Sequence, residues 1–268
     1  MSKTKHILRI AAKVLAGCAV VAVLGFVETN GNSRTVHDIT VEMDMGNGMH
    51  FIDKEALRQE VVKGTGPVIG TAIDKVDETG IERRLRSIPC VAEADVYHTM
   101  DGVLHVRARQ REPIVRVVNA DGSGFYIDKE GWTMPLSTNY TARVLVVTGQ
   151  LAEPFASCAP VNVATGTDSL GLHTRSRAIH GMAFTLLEDP LWNALFTQAV
   201  MDADGDITLI PTVGMMRVRI GDGSKLTARL EKLRTFFAEG IPQVDWRRYS
   251  AVDLRFDDQV VCTKRSTY

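Results

Sequence analysis

The sequence lacks an excess of either charge, and this balance narrows the class of protein. In 268 residues, 31 Lys and Arg side chains stand against 32 Asp and Glu side chains, for a formal net charge of −1. That argues against a nucleic-acid binder with a basic face and against an acidic, solvating tail. Apolar residues make up 45% of the chain and charged residues 24%, which is enough apolar surface for ordinary globular cores.

Cysteines and histidines are few and scattered, and they form no metal-binding pattern. Cys90, Cys158 and Cys262 are spaced like neither a zinc site nor a disulfide scaffold, and no two of the seven histidines stand four residues apart. We therefore expect no metal and no cofactor, and we interpret the three thiols as small buried hydrophobes. A single bridge, Cys90–Cys158 or Cys158–Cys262, stays open as an alternative in an oxidising compartment.

Catalytic and phosphate-binding motifs are missing or imperfect. The glycine-rich stretch 64–70 contains Pro67 and is not followed by the Lys-Ser/Thr pair of a phosphate loop. The stretch 202–206 begins like a calcium loop, but Val213 stands where the twelfth-position Glu is needed. No serine has the Gly-x-Ser-x-Gly context of a hydrolase. We expect an inter-helix loop at 64–70, a hairpin turn at 202–206 and no enzyme activity.

One long uncharged apolar run is present, at residues 14–27. A helix needs roughly 20 residues to cross a bilayer, and an extension back to Ile10 supplies the length because Lys13 can extend its amine to the headgroups. The basic residues of this end are Lys3, Lys5, Arg9 and Lys13. Since basic flanks stay in the cytoplasm, we predict a cytoplasmic tail at 1–9, a transmembrane helix at 10–27 and an external remainder.

Two alternatives to a retained anchor stay open. A cleaved secretory signal would share the basic start and apolar centre, but residues 28–30 offer no clean small-x-small cleavage site. The stretch 15–18, Leu-Ala-Gly-Cys, matches a lipoprotein-processing site and would leave Cys18 as a lipidated N-terminus. The apolar run continues past Cys18, however, and this favours the anchor.

A linker at 28–34 leads to a small domain at 35–112. Alternation of apolar and polar residues predicts strands, and apolar residues one helical turn apart predict helices. The predicted order is strand, helix, helix, strand, strand, at about 39–43, 54–63, 78–87, 91–98 and 103–109. Pro89 closes the second helix, and a turn at 100–102 joins the last two strands.

A second, strand-rich domain is predicted at 113–268. Residues 150–174 are rich in Pro, Gly, Ala, Ser and Thr and are predicted to be a long, mobile surface loop. The clearest helix is 225–238, with leucines recurring at helical spacing. The remaining predicted helices are 177–187 and a short one near Trp192, and the strands are 114–118, 125–128, 143–147, 199–201, 207–210, 215–220, 251–256 and 259–263.

In this arrangement the chain resembles the FtsQ/DivIB family of bacterial cell-division proteins. The similar features are the order of the first domain, the junction Arg-Glu-Pro-Ile at 111–114, the Tyr-Ile-Asp at 126–128 and the Tyr-led strand at 249–256. The resemblance implies an α+β protein: an N-terminal transmembrane helix, a POTRA domain (β-α-α-β-β), then a mixed, mainly antiparallel β domain with flanking helices.

The resemblance further implies a non-enzymatic scaffold of the division complex, in the inner membrane at the septum. Such a protein binds the FtsB–FtsL pair and links early to late division proteins. The partner adds a strand to the last edge of the β domain, which would here be 255–261, with Arg255 facing an acidic residue and Phe256 an apolar one. The implied partner-binding residues are Arg255, Phe256, Asp257, Asp258, Gln259, Val260 and Val261.

This chain departs from enterobacterial members of the family in its tail, where 257–262 carries larger and acidic residues. The register of the edge therefore stays open. An alternative function is that of a POTRA-containing, chaperone-like component of outer-membrane assembly or secretion. Such a protein would carry a β-barrel or several POTRA repeats, and the sequence indicates neither.

Overall fold

The computed structural model describes residues 13, 15–22, 34–46, 48–65, 68–138, 140–153, 160–165, 174–240 and 246–265. The chain forms two units. The first comprises Met1–Asp44, Ile52–Arg86 and Glu93–Arg109, and the second comprises Met45–Phe51, Ser87–Ala92 and Gln110–Tyr268.

Most of the predicted anchor at 10–27, and all of the tail at 1–9, lie outside the described residues. Lys13 and residues 15–22 are helical and exposed. Within the part of the chain that the structure describes, no helix has the length and apolarity needed to cross a membrane. The transmembrane segment therefore stays a prediction.

The first five elements follow the predicted order of strand, helix, helix, strand, strand. They are β1 (Asp38–Asp44), α1 (Lys54–Thr65), α2 (Glu78–Ser87), β2 (Val91–His98) and β3 (Val103–Gln110). The strands form a three-stranded sheet in the order β1-β3-β2, in which β1 runs parallel to β3. The predicted fold of this domain is confirmed.

Both helices of the first unit have the apolar faces that their spacing predicts. The Asp53 carboxylate accepts a hydrogen bond from the backbone N–H of Ala56 at 2.6 Å, which caps α1. The fully buried residues are Leu57 and Val61 of α1 and Ile81 and Leu85 of α2. The α1 helix continues to Thr65, beyond the predicted end at 63.

The second unit contains a nine-stranded sheet. Its strands are β4 (Pro113–Val118), β5 (Gly124–Asp128), β6 (Thr133–Pro135), β7 (Leu145–Gly149), β8 (Phe196–Met201), β9 (Ile207–Pro211), β10 (Arg217–Gly221), β11 (Tyr249–Asp253) and β12 (Val261–Lys264). Their order is β12-β11-β10-β9-β8-β7-β4-β5-β6. The pairs β4–β7, β7–β8 and β10–β11 are parallel and the others antiparallel, so the sheet is mixed and mainly antiparallel, as predicted.

Helices of the second unit pack on this sheet. They are α3 (Thr174–Glu188), α4 (Pro190–Leu195) and α5 (Leu226–Thr235), and α5 continues into a π-helical turn, Phe236–Gly240. Ile179 and Met182 of α3 and Leu230 and Leu233 of α5 enter one core with the strands. The α-helix predicted at 225–238 begins one residue later, because Lys225 has a left-handed φ of 51°, and it ends at Thr235, where the π-helical turn begins.

The described residues 150–153 and 160–165 form neither helix nor named strand, as predicted for a loop, but part of this loop is buried rather than on the surface. Leu151 and Val163 are each 1% exposed and belong to the main core. Glu153 is also buried. Its Oε2 accepts hydrogen bonds from the backbone N–H (2.9 Å) and the hydroxyl (2.6 Å) of Ser176. Residues 154–159 and 166–173 lie outside the described residues.

The predicted turn at 202–206 is confirmed between β8 and β9. Oδ1 of Asp202 accepts hydrogen bonds from the backbone N–H groups of Asp204 (3.0 Å) and Asp206 (2.9 Å), as in an Asx turn. No group of three His, Cys, Asp or Glu in the described ranges is placed to hold a metal. Cys90 and Cys262 carry free thiols, and Cys158 lies outside the described residues.

Candidate functional site

The strand β12 forms one edge of the nine-stranded sheet. It pairs antiparallel with β11, with Val252 opposite Cys262 and Asp253 opposite Val261. Among the described residues, no strand pairs with the other side of β12. An edge strand with a free side presents backbone N–H and C=O groups that an added strand can pair with.

Most of the predicted edge at 255–261 lies outside the two last strands, and its use by a partner stays a prediction. Strand β11 ends at Asp253 and β12 begins at Val261, so residues 254–260 connect the two strands. The predicted site residues in this connection are Arg255, Phe256, Asp257, Asp258, Gln259 and Val260. The chain leaves the strand early because Oδ1 of Asp253 accepts the backbone N–H of Arg255 at 3.0 Å, a local turn that competes with strand pairing.

Arg255 is held by two carboxylates of its own chain. Its Nη2 lies 2.7 Å from Oδ2 of Asp253, and its Nη1 lies 2.6 Å from Oδ2 of Asp206. Hydrogen bonds to Asp253 and then to Asp206 raise the pKa of Arg255. Both terminal nitrogens of Arg255 are therefore already paired, so a partner carboxylate would have to displace an internal one. The expectation that Arg255 faces an acidic partner residue therefore finds no support in this geometry.

Asp253 is the buried member of this cluster. Burial acts to raise the pKa of its carboxyl, but the hydrogen bonds from the Arg255 side chain and backbone outweigh burial and lower it. Its side chain is 11% exposed, whereas that of Arg255 is 39% exposed. The aspartate thus stays ionised and fixes the arginine over the end of β11.

Two lysines of the α5 region hold the connection in place. Nζ of Lys232 donates to the carbonyl oxygens of Leu254 (3.1 Å), Phe256 and Asp257 (3.4 Å). Nζ of Lys225 lies 3.2 Å from Oδ1 of Asp257. Together these contacts fix the connection that carries Phe256, which is 45% exposed.

Comparison with known proteins agrees with this architecture. A family model described as "FtsQ/DivIB, C-terminal related" matches residues 112–263, more than half of the chain. The chain belongs to the FtsQ/DivIB family. A POTRA-like domain model matches residues 34–109.

Two relatives carry the name "Cell division protein FtsQ". The protein from Salinibacter ruber is 28% identical over 267 residues, covering 97% of this chain and 95% of the relative. The protein from Rhodothermus marinus is 27% identical over 198 residues, covering 72% of this chain and 67% of the relative.

In this FtsQ/DivIB chain, the side chains at the start of the edge strand alternate between the core and the solvent. Val260 and Cys262 pack against the core of the sheet, and burial raises the pKa of the Cys262 thiol. Val261 points away from that set and is 38% exposed. Phe256 and Val261 are therefore the exposed apolar side chains of the connection and the edge.

Sequence reasoning missed the residues that shape this FtsQ/DivIB edge. Asp206 and Lys232 act on residues 49 and 24 positions away, respectively, so no local spacing connects them to Arg255 or Phe256. Asp253 offered a signal, because an Asp two residues before Arg255 is typical of an Asx turn rather than of a continuing strand.

Proposed function

We propose that this protein is a non-enzymatic cell-division scaffold that binds a partner strand along β12. Family membership and the names of the two relatives support the division role. The observation that carries the binding mode is that, among the residues with described positions, one side of β12 has no strand partner. Val261 on this strand and Phe256 in the connection before it are exposed. The match over 112–263 favours this function over outer-membrane assembly, which a POTRA-like domain alone would also fit.

In this proposal the apolar segment at 10–27 anchors the protein in the cytoplasmic membrane. The tail at 1–9 lies inside, and both folded units lie outside, at the division septum. The partner is the FtsB–FtsL pair, which the scaffold connects to early and late division proteins for septal peptidoglycan synthesis. A reporter that is active only outside the cytoplasm tests this orientation when fused after the last residue.

The partner's strand pairs with the backbone of β12, and the side chains beside it supply the anchors. Backbone pairing gives affinity that depends little on sequence, whereas buried apolar contacts concentrate the binding energy. Phe256 and Val261 would lose their remaining exposure on binding. Arg255 contributes indirectly, because it and Asp253 set the path of the connection.

The first prediction concerns these two anchors. The double variant Phe256→Asp/Val261→Asp should bind FtsB–FtsL at least tenfold more weakly, because it places carboxylates where apolar side chains become buried. Affinity is measured by calorimetry with the full-length protein, beside a thermal melt of each variant. Both sites are exposed, so the melting temperature should change little.

A matched control is Val62→Asp, since Val62 is 43% exposed on α1, in the other unit. This variant should bind as tightly as the wild type. Unchanged affinity in the folded double variant, or equal loss in Val62→Asp, would exclude β12 as the binding edge.

A further inference from the structure

A second surface of the nine-strand unit has the character of a binding site. A groove of about 560 Å³ opens between α3 and the first residues of β4, β7 and β8. Its floor is apolar and at most 9% exposed, and consists of Ile114, Leu145, Ala183, Leu186 and Phe196. In the sheet order, three strands separate β8 from the edge strand β12, so this groove is distinct from the proposed edge.

Two basic side chains stand at the rim of this groove. Lys129 and Arg143 both line it, both are exposed, and neither forms an ion pair within the described ranges. The backbone of Lys129 is fixed: its N–H donates to the carbonyl of Glu112 (3.1 Å), and Nε2 of His180 donates to its carbonyl oxygen (3.1 Å). Among the described residues of the lining, Glu112, half-buried, is the one acidic residue, so their charges give the rim an excess of positive charge.

The distribution of polar groups indicates the class of ligand. A small-molecule site places polar groups deep in the pocket, where they fix the orientation of the ligand. Here the deep residues are apolar, and the charged groups surround the mouth, as in the centre and rim of a protein interface. Leu187, 37% exposed, extends the apolar surface outward.

We propose that this groove binds an acidic peptide segment of a partner protein. An apolar side chain of the segment enters the groove, and carboxylates on either side of it pair with Lys129 and Arg143. The charge of the rim selects an acidic partner, because a basic segment would meet two unpaired cations. This inference does not depend on the β12 edge.

The test uses a fluorescent hexapeptide in which two central leucines have two glutamates on each side. Anisotropy with the purified full-length protein should show saturable binding, and the same peptide with lysines in place of glutamates should not bind. A benzophenone on the acidic peptide should crosslink to α3 or to the first residues of β7. Crosslinking confined to other segments overturns the proposal, as does equal binding of both peptides or no binding of the acidic one.

Charge-reversed variants locate the binding. Lys129→Glu/Arg143→Glu should lower the affinity for the acidic peptide at least tenfold. The neutral pair Lys129→Gln/Arg143→Gln should lower this affinity less. The control Lys54→Glu/Arg83→Glu makes the same change in net charge on exposed residues of the first unit and should have no effect. Equal loss in the control, or no loss in either rim variant, contradicts the proposal.

Two further measurements separate this site from other surfaces. Val261→Asp should leave the peptide affinity unchanged, so a failure of the edge and a failure of the groove are distinguishable. Vesicles of phosphatidylglycerol should not compete with the peptide. If the vesicles compete with the peptide for the wild-type protein, and if Lys129→Glu/Arg143→Glu no longer binds the vesicles, the groove binds a lipid surface. That result would overturn the peptide proposal.

Discussion

Leu85 tests the packing of the first unit at the scale of one residue. It is fully buried on α2, one turn from Ile81. Leu85→Ala should lower the free energy of unfolding by about 2–5 kcal/mol, because it removes buried methyl groups and leaves a cavity. Chemical denaturation followed by circular dichroism measures this. Arg83→Ala, on the exposed side of the same helix, is the control. A loss below about 1 kcal/mol for Leu85→Ala would mean that a different face of α2 is buried.

Asp253 makes the stability of the second unit depend on pH. Its pKa is lowered in the folded protein, where the hydrogen bonds from Arg255 outweigh the effect of burial. The unfolded chain therefore takes up this proton first as the pH falls. The stabilisation is complete above the unfolded value of about 3.9 and is lost as the pH falls through the lower folded value.

The expected result is a smaller acid effect when this carboxylate is removed. The melting temperature of Asp253→Asn should fall less than that of the wild type between about pH 5 and about pH 2. The control is Asp258→Asn, whose exposed carboxylate forms no ion pair within the described ranges. A wild-type acid profile in Asp253→Asn would mean that the pairing with Arg255 does not stabilise the fold.

At the scale of elements, the connection between β11 and β12 depends on α5. Lys232→Met should free the carbonyls of Leu254 and Phe256 and speed amide exchange across 254–258, because three hydrogen bonds are lost. Lys225→Met removes one exposed ion pair and should change exchange little. Exchange mass spectrometry of both variants is the measurement. The same exchange rates in both variants would contradict the role of Lys232.

The bounds of the helices and strands show which parts of the fold could be predicted from the sequence. The strand Val91–His98 and the helix Glu78–Ser87 have the predicted bounds, because the periodicity of the side chains and the proline at 89 are local signals. The order of helices and strands in the first domain could therefore be predicted from these local signals. Most elements of the second unit were predicted, with bounds shifted by one to three residues at many ends, but the strand β6 (Thr133–Pro135) was missed. Pairing across the sheet decides where a strand stops.

The position of the edge strand and the existence of the groove could not be predicted from local sequence signals. The strand before the last was predicted to run to Phe256, but Asp253 turns the chain, and Lys232 binds the carbonyl oxygens that follow. Leu151 and Val163 lie in a stretch without periodicity and still enter the core. The groove joins residues from 49 to 196, and only the fold brings Lys129 and Arg143 to one rim.

At the scale of the whole molecule, the FtsQ/DivIB chain combines a POTRA-like unit with a larger sheet, and no described strand pairs with the outer side of its last strand. We infer that the larger unit offers two separate surfaces: an edge for strand addition and a groove for an acidic segment. Two surfaces on one unit would let a scaffold hold more than one division protein at once.

The most direct test of the central claim is hydrogen exchange on the full-length protein with and without FtsB–FtsL. Strand addition should slow exchange in peptides that cover β12 (Val261–Lys264), because its free backbone groups become paired. Peptides of β1 and β3 should exchange as in the free protein. Slower exchange confined to β1–β3, with β12 unchanged in the bound state, would contradict the assignment of the partner to this edge.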